Sequence, residues 1–165
     1  MTTVQIRPAL AADFRAIQSI YADEVLNGIA TFEEIPPSID ELTQRWSSIV
    51  DTGLPFLVAT LEQKLVGFAY ASPYRFKPAY RFTIESSVYV SHDHRHQGIG
   101  QRLMQHLIKS CSDRQQMIAV VSDSENPASI ALHQSLGFVK VGRLERVGFK
   151  HDQWIDTLLL QRSLP

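Results

Sequence analysis

The residues with the clearest chemical potential lie between 88 and 102, in Val88-Tyr89-Val90-Ser91-His92-Asp93-His94-Arg95-His96-Gln97-Gly98-Ile99-Gly100-Gln101-Arg102. This segment joins a predicted strand to a predicted helix through a turn carrying two glycines. A helix start exposes unpaired backbone N–H groups and the positive end of the helix dipole, and glycine lets an anion approach closely, so the turn can cradle a diphosphate. Arg95 and Arg102 can add charge-assisted contacts. The Lys-Ser/Thr of a P-loop and the third glycine of a dinucleotide fingerprint are both missing, which speaks against an ordinary NTP or NAD site. The plain alternative is a tight strand-to-helix connection with no ligand. His92, His94 and His96 alternate and invite a metal reading, but an irregular turn gives them no common face, and neither a cysteine nor a fourth ligand stands nearby. No metal is expected.

Around that segment, hydrophobic periodicity sets out the elements. Val4 and Ile6 alternate ahead of Pro8 as a short strand. Phe14, Ile17, Ile20, Tyr21 and Val25 then recur at helical spacing, with Gly28 as a stop. Ser38 and Glu41 form a capping box after Pro36-Pro37, and Leu42, Trp46, Ile49 and Val50 supply the buried side of a second helix. From Phe56 to Tyr74 the β-branched and aromatic texture, broken at Glu62-Gln63-Lys64, predicts a hairpin whose turn lacks glycine. A strand follows from about Arg81 to Ser91. Ile99, Leu103, Met104, Leu107, Ile108 and Cys111 fall on one side of a helix, with Gln101, Arg102, Gln105, His106 and Lys109 on the other. Met117–Ser122 reads as a buried strand, Ala128–Leu136 as a helix closed by Gly137, and Phe138–Val147 and Trp154–Arg162 as two last strands. The order is β-α-α-β-β-β-α-β-α-β-β. A mixed sheet with helices on its faces accommodates it, with parallel crossovers expected where helices intervene and antiparallel pairing at hairpins.

With 165 residues, 44% of them apolar and 20% charged, the chain has the composition of one globular domain, predicted to span 1–165. Sixteen Lys and Arg against seventeen Asp and Glu leave a formal charge of −1, without the basic excess that a nucleic-acid or anionic-membrane partner calls for. The single cysteine forms no intrachain disulfide, and the longest apolar run, Met117–Val121, is too short to cross a bilayer. The N-terminal residues lack the apolar stretch of a signal peptide, so a cytoplasmic protein is expected.

Arg95-x-x-Gly98-x-Gly100, after Val88-Tyr89-Val90 and within this element order, resembles the acetyl-CoA signature of the GNAT superfamily of N-acetyltransferases. The resemblance spans nearly the whole chain. It tightens at Asn27–Glu33, Ala71-Ser72-Pro73-Tyr74-Arg75, Tyr80–Val90 and Glu125–Phe138, where it is similar to the branch that acetylates phosphinothricin and methionine sulfoximine. The implied fold is a mixed, mainly antiparallel sheet with helices on both faces, and the implied cosubstrate is acetyl-CoA. By resemblance, Val88, Tyr89 and Val90 meet the acyl and pantetheine end. Arg95, His96, Gln97, Gly98, Ile99, Gly100 and Gln101 surround the diphosphate, and Asn126 contacts the cofactor or simply caps its helix. A backbone N–H aimed at the thioester oxygen stabilises the charge that develops there, and Val90 is the candidate.

An amine must lose a proton before it attacks, and Glu85 matches an acidic position of the branch that does this directly or through water. Its plain alternative is a strand glutamate paired with Arg81 or solvated. Many superfamily members carry a tyrosine seven residues after the asparagine; here that place is His133, which can protonate the departing sulfur, relay a proton, or be structural. For a zwitterionic acceptor, Arg75 is the expected carboxylate clamp and Arg81 the second choice, with Phe32 and Tyr89 as apolar walls. The resemblance therefore implies direct acetyl transfer to the α-amino group of a small amino-acid-like amine in a ternary complex. No acyl-enzyme on Cys111 is expected, and relatives in the branch form homodimers. Two other readings stay open: transfer to protein N-termini or lysines, and a nonenzymatic acetyl-CoA sensor.

Overall fold

Alternating and helical apolar patterns resolve into layers in the computed structural model, which describes residues 3–122 and 127–165. Its elements are β1 (Gln5–Pro8), α1 (Phe14–Asn27), α2 (Ile39–Asp51), β2 (Phe56–Leu61), β3 (Lys64–Pro73), β4 (Thr83–Val90), α3 (Ile99–Lys109), β5 (Gln116–Ser122), α4 (Pro127–Ser135), β6 (Val139–Lys150) and β7 (Gln153–Ser163). The order expected from periodicity is found. The strands form one sheet in the order β1-β2-β3-β4-β5-β7-β6, and only β4 and β5 run parallel.

Strand directions follow from how many helices intervene. The single helix α3 returns the chain to the starting end of the sheet, so β5 runs parallel to β4. Two helices carry the chain away and back, so β1 and β2 pair antiparallel, against the expectation of a parallel crossover. The α2 start is built as expected: Ser38 Oγ accepts from Glu41 N at 3.2 Å while Glu41 Oε2 accepts from Ser38 N at 2.6 Å. Val50, expected on the buried side of that helix, is instead 38% exposed, because the contact face is carried by Leu42 with Trp46 and Ile49. The β2–β3 hairpin turns through Glu62 and Gln63, both at positive φ (49° and 67°), which is how a glycine-free two-residue turn matches the twist of its strands.

Because successive side chains on a strand face opposite sides, the sheet separates two cores. One holds Phe14, Ile17, Tyr21, Val25 and Leu42 of α1 and α2 against Phe56, Val58 and Phe68. The other packs Ile99, Leu103, Met104, Leu107 and Cys111 of α3 against Leu57, Ala59, Ala69, Ile84, Met117 and Ala119. Helices thus cover both faces. Among the described residues no helix is long and apolar enough to cross a membrane.

Candidate active site

Strands β4 and β5 start side by side and then part. Pairing runs from Thr83↔Gln116 to Ser86↔Ala119 and stops, although β4 continues to Val90 and β5 to Ser122. On its other edge β4 stays paired with β3 through Gly67↔Val90, and Ser91 N donates to Val66 O at 2.9 Å. The two-residue alternation of an antiparallel ladder then turns the N–H and C=O of Val88 and Val90 into the gap that β5 has left.

After β4 and a short 3₁₀ turn at His92–His94 the chain bends through the left-handed region, with His96 at φ 61° and Gly98 at φ 75°, and enters α3. The first helical bond is Arg102 N to Gly98 O at 3.1 Å. Among the described residues, the backbone N–H groups from His96 to Gln101 have no protein acceptor. This is a concave row of donors at a helix start, the arrangement that binds a diphosphate. A Cβ at Gly98 would point into open space, and one at Gly100 would lie 3.0 Å from Leu132 Cδ1 of α4, so the second glycine lets α3 pack close to α4. Arg102 is exposed on the first turn of α3. Arg95 turns away from the row of donors: its Nη2 pairs with Glu24 Oε2 at 2.8 Å, and its Nε reaches Val90 O at 3.4 Å.

A cavity of about 300 Å³ opens where the strands part, lined among others by Glu85, Ser87, Val88, Tyr89, Val120, Val121, Ser122 and His133. Consecutive residues of one strand face opposite sides of a sheet, so a cavity lined by 85–89 and by 119–122 passes through the sheet. Phe32 and His133, far apart in the chain, are brought together on its wall with Glu85, Val88 and Tyr89 of β4. Glu85 is half-buried with no partner among the described residues, neither Arg81 nor any other cation, and desolvation raises its pKa. The solvated or ion-paired glutamate is therefore not what the fold builds. His133 is buried, and its Nδ1 lies 2.7 Å from Ser129 O. A carbonyl oxygen only accepts, so Nδ1 carries the proton and Nε2 holds the lone pair. Burial also lowers the imidazole pKa, which keeps the ring neutral near pH 7.

Other expected residues fall elsewhere. Arg75 and Arg81 sit on the exposed β3–β4 connection and add nothing to the cavity wall. The Arg75 guanidinium lies over Tyr74 and Tyr80 at 5.2 and 5.9 Å, and that of Arg81 lies 4.6 Å from the Phe82 ring, with Nη1 donating to Pro78 O at 3.2 Å. The Pro78–Tyr80 3₁₀ turn shortens the expected strand and carries them outward. Tyr89 puts its ring into an aromatic layer, 5.1 Å from both Tyr21 and Phe68, while its main chain borders the gap. Asn126 lies outside the described residues. Cys111 is in the core, and burial pushes its thiol up to about 12. Among the described residues no three metal-ligating side chains cluster; His94 Nδ1 instead meets Ser91 Oγ at 2.8 Å.

Residues not singled out in the sequence complete the wall. Ser122 is 5% exposed, lines the cavity, and among the described residues its Oγ has no hydrogen-bond partner. Its strand partner Thr157 lines the same space. The only signal available was a hydroxyl closing the apolar run Met117–Val121. The loop Ile29–Phe32 forms the facing wall. Thr31 Oγ1 meets Tyr21 OH at 2.9 Å, Lys150 Nζ donates to Thr31 O at 2.8 Å, and Phe32 packs on Gly148, where a Cβ would come within 2.4 Å of its ring.

Comparison with known proteins places this arrangement. The model of the acetyltransferase (GNAT) family matches residues 14–138. The chain belongs to the GNAT family. Among GNAT relatives, a phosphinothricin N-acetyltransferase of Alcaligenes faecalis is 49% identical over 154 residues, covering 92% of this chain and 78% of its own. An L-methionine sulfoximine/L-methionine sulfone acetyltransferase of Pseudomonas paraeruginosa is 34% identical over 164 residues, covering 98% and 95%. The crystal structure of a GNAT superfamily phosphinothricin acetyltransferase from Sinorhizobium meliloti, in complex with acetyl-CoA, superimposes with a TM-score of 0.95 at 46% identity, covering 98% of this chain and 89% of that one. The acetyl-CoA such an enzyme uses has a diphosphate and an extended amide-bearing arm. The unpaired donors of 96–101, the open main chain of Val88 and the N–H of Val90 suit both.

Proposed function

We propose that this GNAT enzyme transfers an acetyl group from acetyl-CoA to the α-amino group of a small amino-acid-like acceptor such as phosphinothricin, methionine sulfoximine or methionine sulfone. Transfer is direct, in a ternary complex. The observation that carries this reading is the cavity through the sheet, where β4 presents both the desolvated Glu85 side chain and, further along the strand, the main chain left unpaired by β5. Acetyl-CoA supplies an acetyl thioester. Val90 N–H, turned into the gap, stabilises the negative charge that develops on the thioester oxygen. Glu85 removes one proton from the acceptor ammonium, and burial, by raising its pKa, makes it a stronger base than a solvated glutamate. The freed nitrogen pair forms the C–N bond, the C–S bond breaks, and the sulfur leaves with the electron pair. Neutral His133, with Nε2 available, takes the second nitrogen proton and passes it to the sulfur; this is a relay and not a standing acid.

Ser122 Oγ, buried and without a partner among the described residues, donates to the acceptor, a place that Arg75 and Arg81 of the same chain do not fill. A cavity of about 300 Å³ has room for one amino acid beside an acyl end, in keeping with a small acceptor. The chain acts as one domain in the cytoplasm and pairs as a homodimer. Outer strand β6, with Val139, Val141, Leu144, Val147 and Phe149 about half exposed, is the surface that supports pairing.

The test is CoA release with a panel of phosphinothricin, methionine sulfoximine, methionine sulfone and the common amino acids, together with titration calorimetry of acetyl-CoA. Thiol release with at least one small amine and a clear binding heat are expected. Heat without release from any amine leaves a sensor; no heat at all ends the enzymatic reading.

A further inference from the structure

We propose that Glu24 is a positioning residue that couples the coenzyme turn to the acceptor loop. The inference rests on the reading above, in which the turn at 96–101 holds acetyl-CoA and the loop 29–32 faces the acceptor. Glu24 lies in the last turn of α1 and is 9% exposed, in a helix whose other inward residues are apolar or aromatic. Its two carboxylate oxygens have different duties. Oε2 accepts from Arg95 Nη2 at 2.8 Å, one residue before the row of unpaired donors. Oε1 accepts from Ala30 N at 3.0 Å, in the middle of the loop that walls the cavity.

The carboxyl also fills the space beside Gly28, where a Cβ would lie 1.9 Å from Oε1. Gly28 has φ −112°, so it is required for this close approach and not for a left-handed stop. The other ties on the loop, Tyr21 OH to Thr31, Lys150 Nζ to Thr31 O and His151 Nε2 to Gly28 O at 3.2 Å, come from α1 and the β6–β7 hairpin. Among the described residues Glu24 alone is bonded both to the loop and to Arg95, the residue that leads into the turn. A diphosphate that orders the turn fixes Arg95, which holds the carboxylate, which holds the Ala30 amide. Coupling of this kind is reciprocal, so an ordered loop also favours the coenzyme.

Hydrogen exchange of the Ala30 amide, with CoA alone as probe, tests this directly. In the wild type CoA should slow exchange at Ala30 by about fivefold or more, within the usual span of coupling between sites. Glu24→Gln keeps an oxygen for Ala30 but offers Arg95 no carboxylate, and CoA should then leave Ala30 exchange unchanged; Arg95→Gln, which breaks the pair from the turn, should do the same. A steady-state split accompanies it: Glu24→Gln should raise the acceptor KM by about tenfold with little change in kcat, a split that general destabilisation does not produce. Calorimetric binding of CoA with no slowing at Ala30 in the wild type, or equal slowing in both variants, would overturn the proposal and leave the acetyl-transfer reading intact. No binding of CoA would end both.

Discussion

Glu85 and His133 line one cavity, and the same physical cause moves their proton affinities in opposite directions. Burial penalises charge, so it raises the carboxyl pKa and lowers the imidazole pKa. A base must be ionised to work, so kcat/KM should climb with pH along a limb set above about 4.3, the ordinary glutamate value. Glu85→Gln should lower kcat by about 100-fold or more, erase that limb, and leave acetyl-CoA binding by calorimetry unaltered. Full turnover in that variant across the pH range would remove Glu85 from proton transfer. For His133 the expectation concerns stability. The folded state disfavours its protonation while the unfolded chain protonates it near pH 6.5, so below about that pH the unfolded state binds more protons and stability declines. The fall in urea midpoint between pH 7.5 and 5.5 should be smaller in His133→Phe than in the wild type. Equal falls would mean that the ring titrates as in water. At this scale Glu85 and His133 were singled out by the family resemblance and not by their residue types, and the fold puts both on the cavity wall. Arg75 was not, because its pairing with two tyrosine rings depends on how the β3–β4 connection bends. Glu24 was hidden too: a glutamate on a helix reads as solvated until a partner 71 residues away is known.

Two turns show what elements ask of single residues. Gly98 sits at φ 75°, where a side chain costs about 1 kcal/mol, and its N–H belongs to the row of donors. Gly98→Ala should lower stability by about that amount and weaken acetyl-CoA binding with no change in the pH limb of Glu85. Binding as tight as the wild type would show that the turn does not grip the diphosphate. The β2–β3 hairpin holds Gln63 at φ 67° far from the cavity, so Gln63→Gly should raise stability by about 1 kcal/mol without altering activity, as thermal melting would show. Elements were the most legible level. The apolar stripe of α3 and the capping box of α2 are short-range patterns, and both are built as read. What local patterns do not encode is the relation between elements: the antiparallel β1–β2 pair depends on the α1–α2 return, and the parting of β4 from β5 is a property of two strands that neither spells out alone.

At the scale of the molecule the sheet has one long unpaired edge. Strand β6 bends away at two register shifts and leaves Val139, Val141, Leu144, Val147 and Phe149 about half exposed, with Trp154 beside Phe149 at a ring distance of 5.0 Å. Natural proteins usually blunt such an edge or cover it. If two copies cover it, Val141→Lys with Val147→Lys should convert a dimer to a monomer in sedimentation without loss of melting temperature, since neither side chain is in a core. An unchanged sedimentation coefficient would move the interface elsewhere. The resemblance to a superfamily was legible from the Arg95-x-x-Gly98-x-Gly100 signature together with the element order and segments spread along the chain, whereas this edge was not: Phe138–Val147 reads only as a strand. The passage through the sheet has a kinetic corollary. Because its wall draws Tyr21 from α1 on one face and His133 from α4 on the other, coenzyme and acceptor can approach from opposite faces, neither has to be seated first, and the spent thiol and the amide can depart separately.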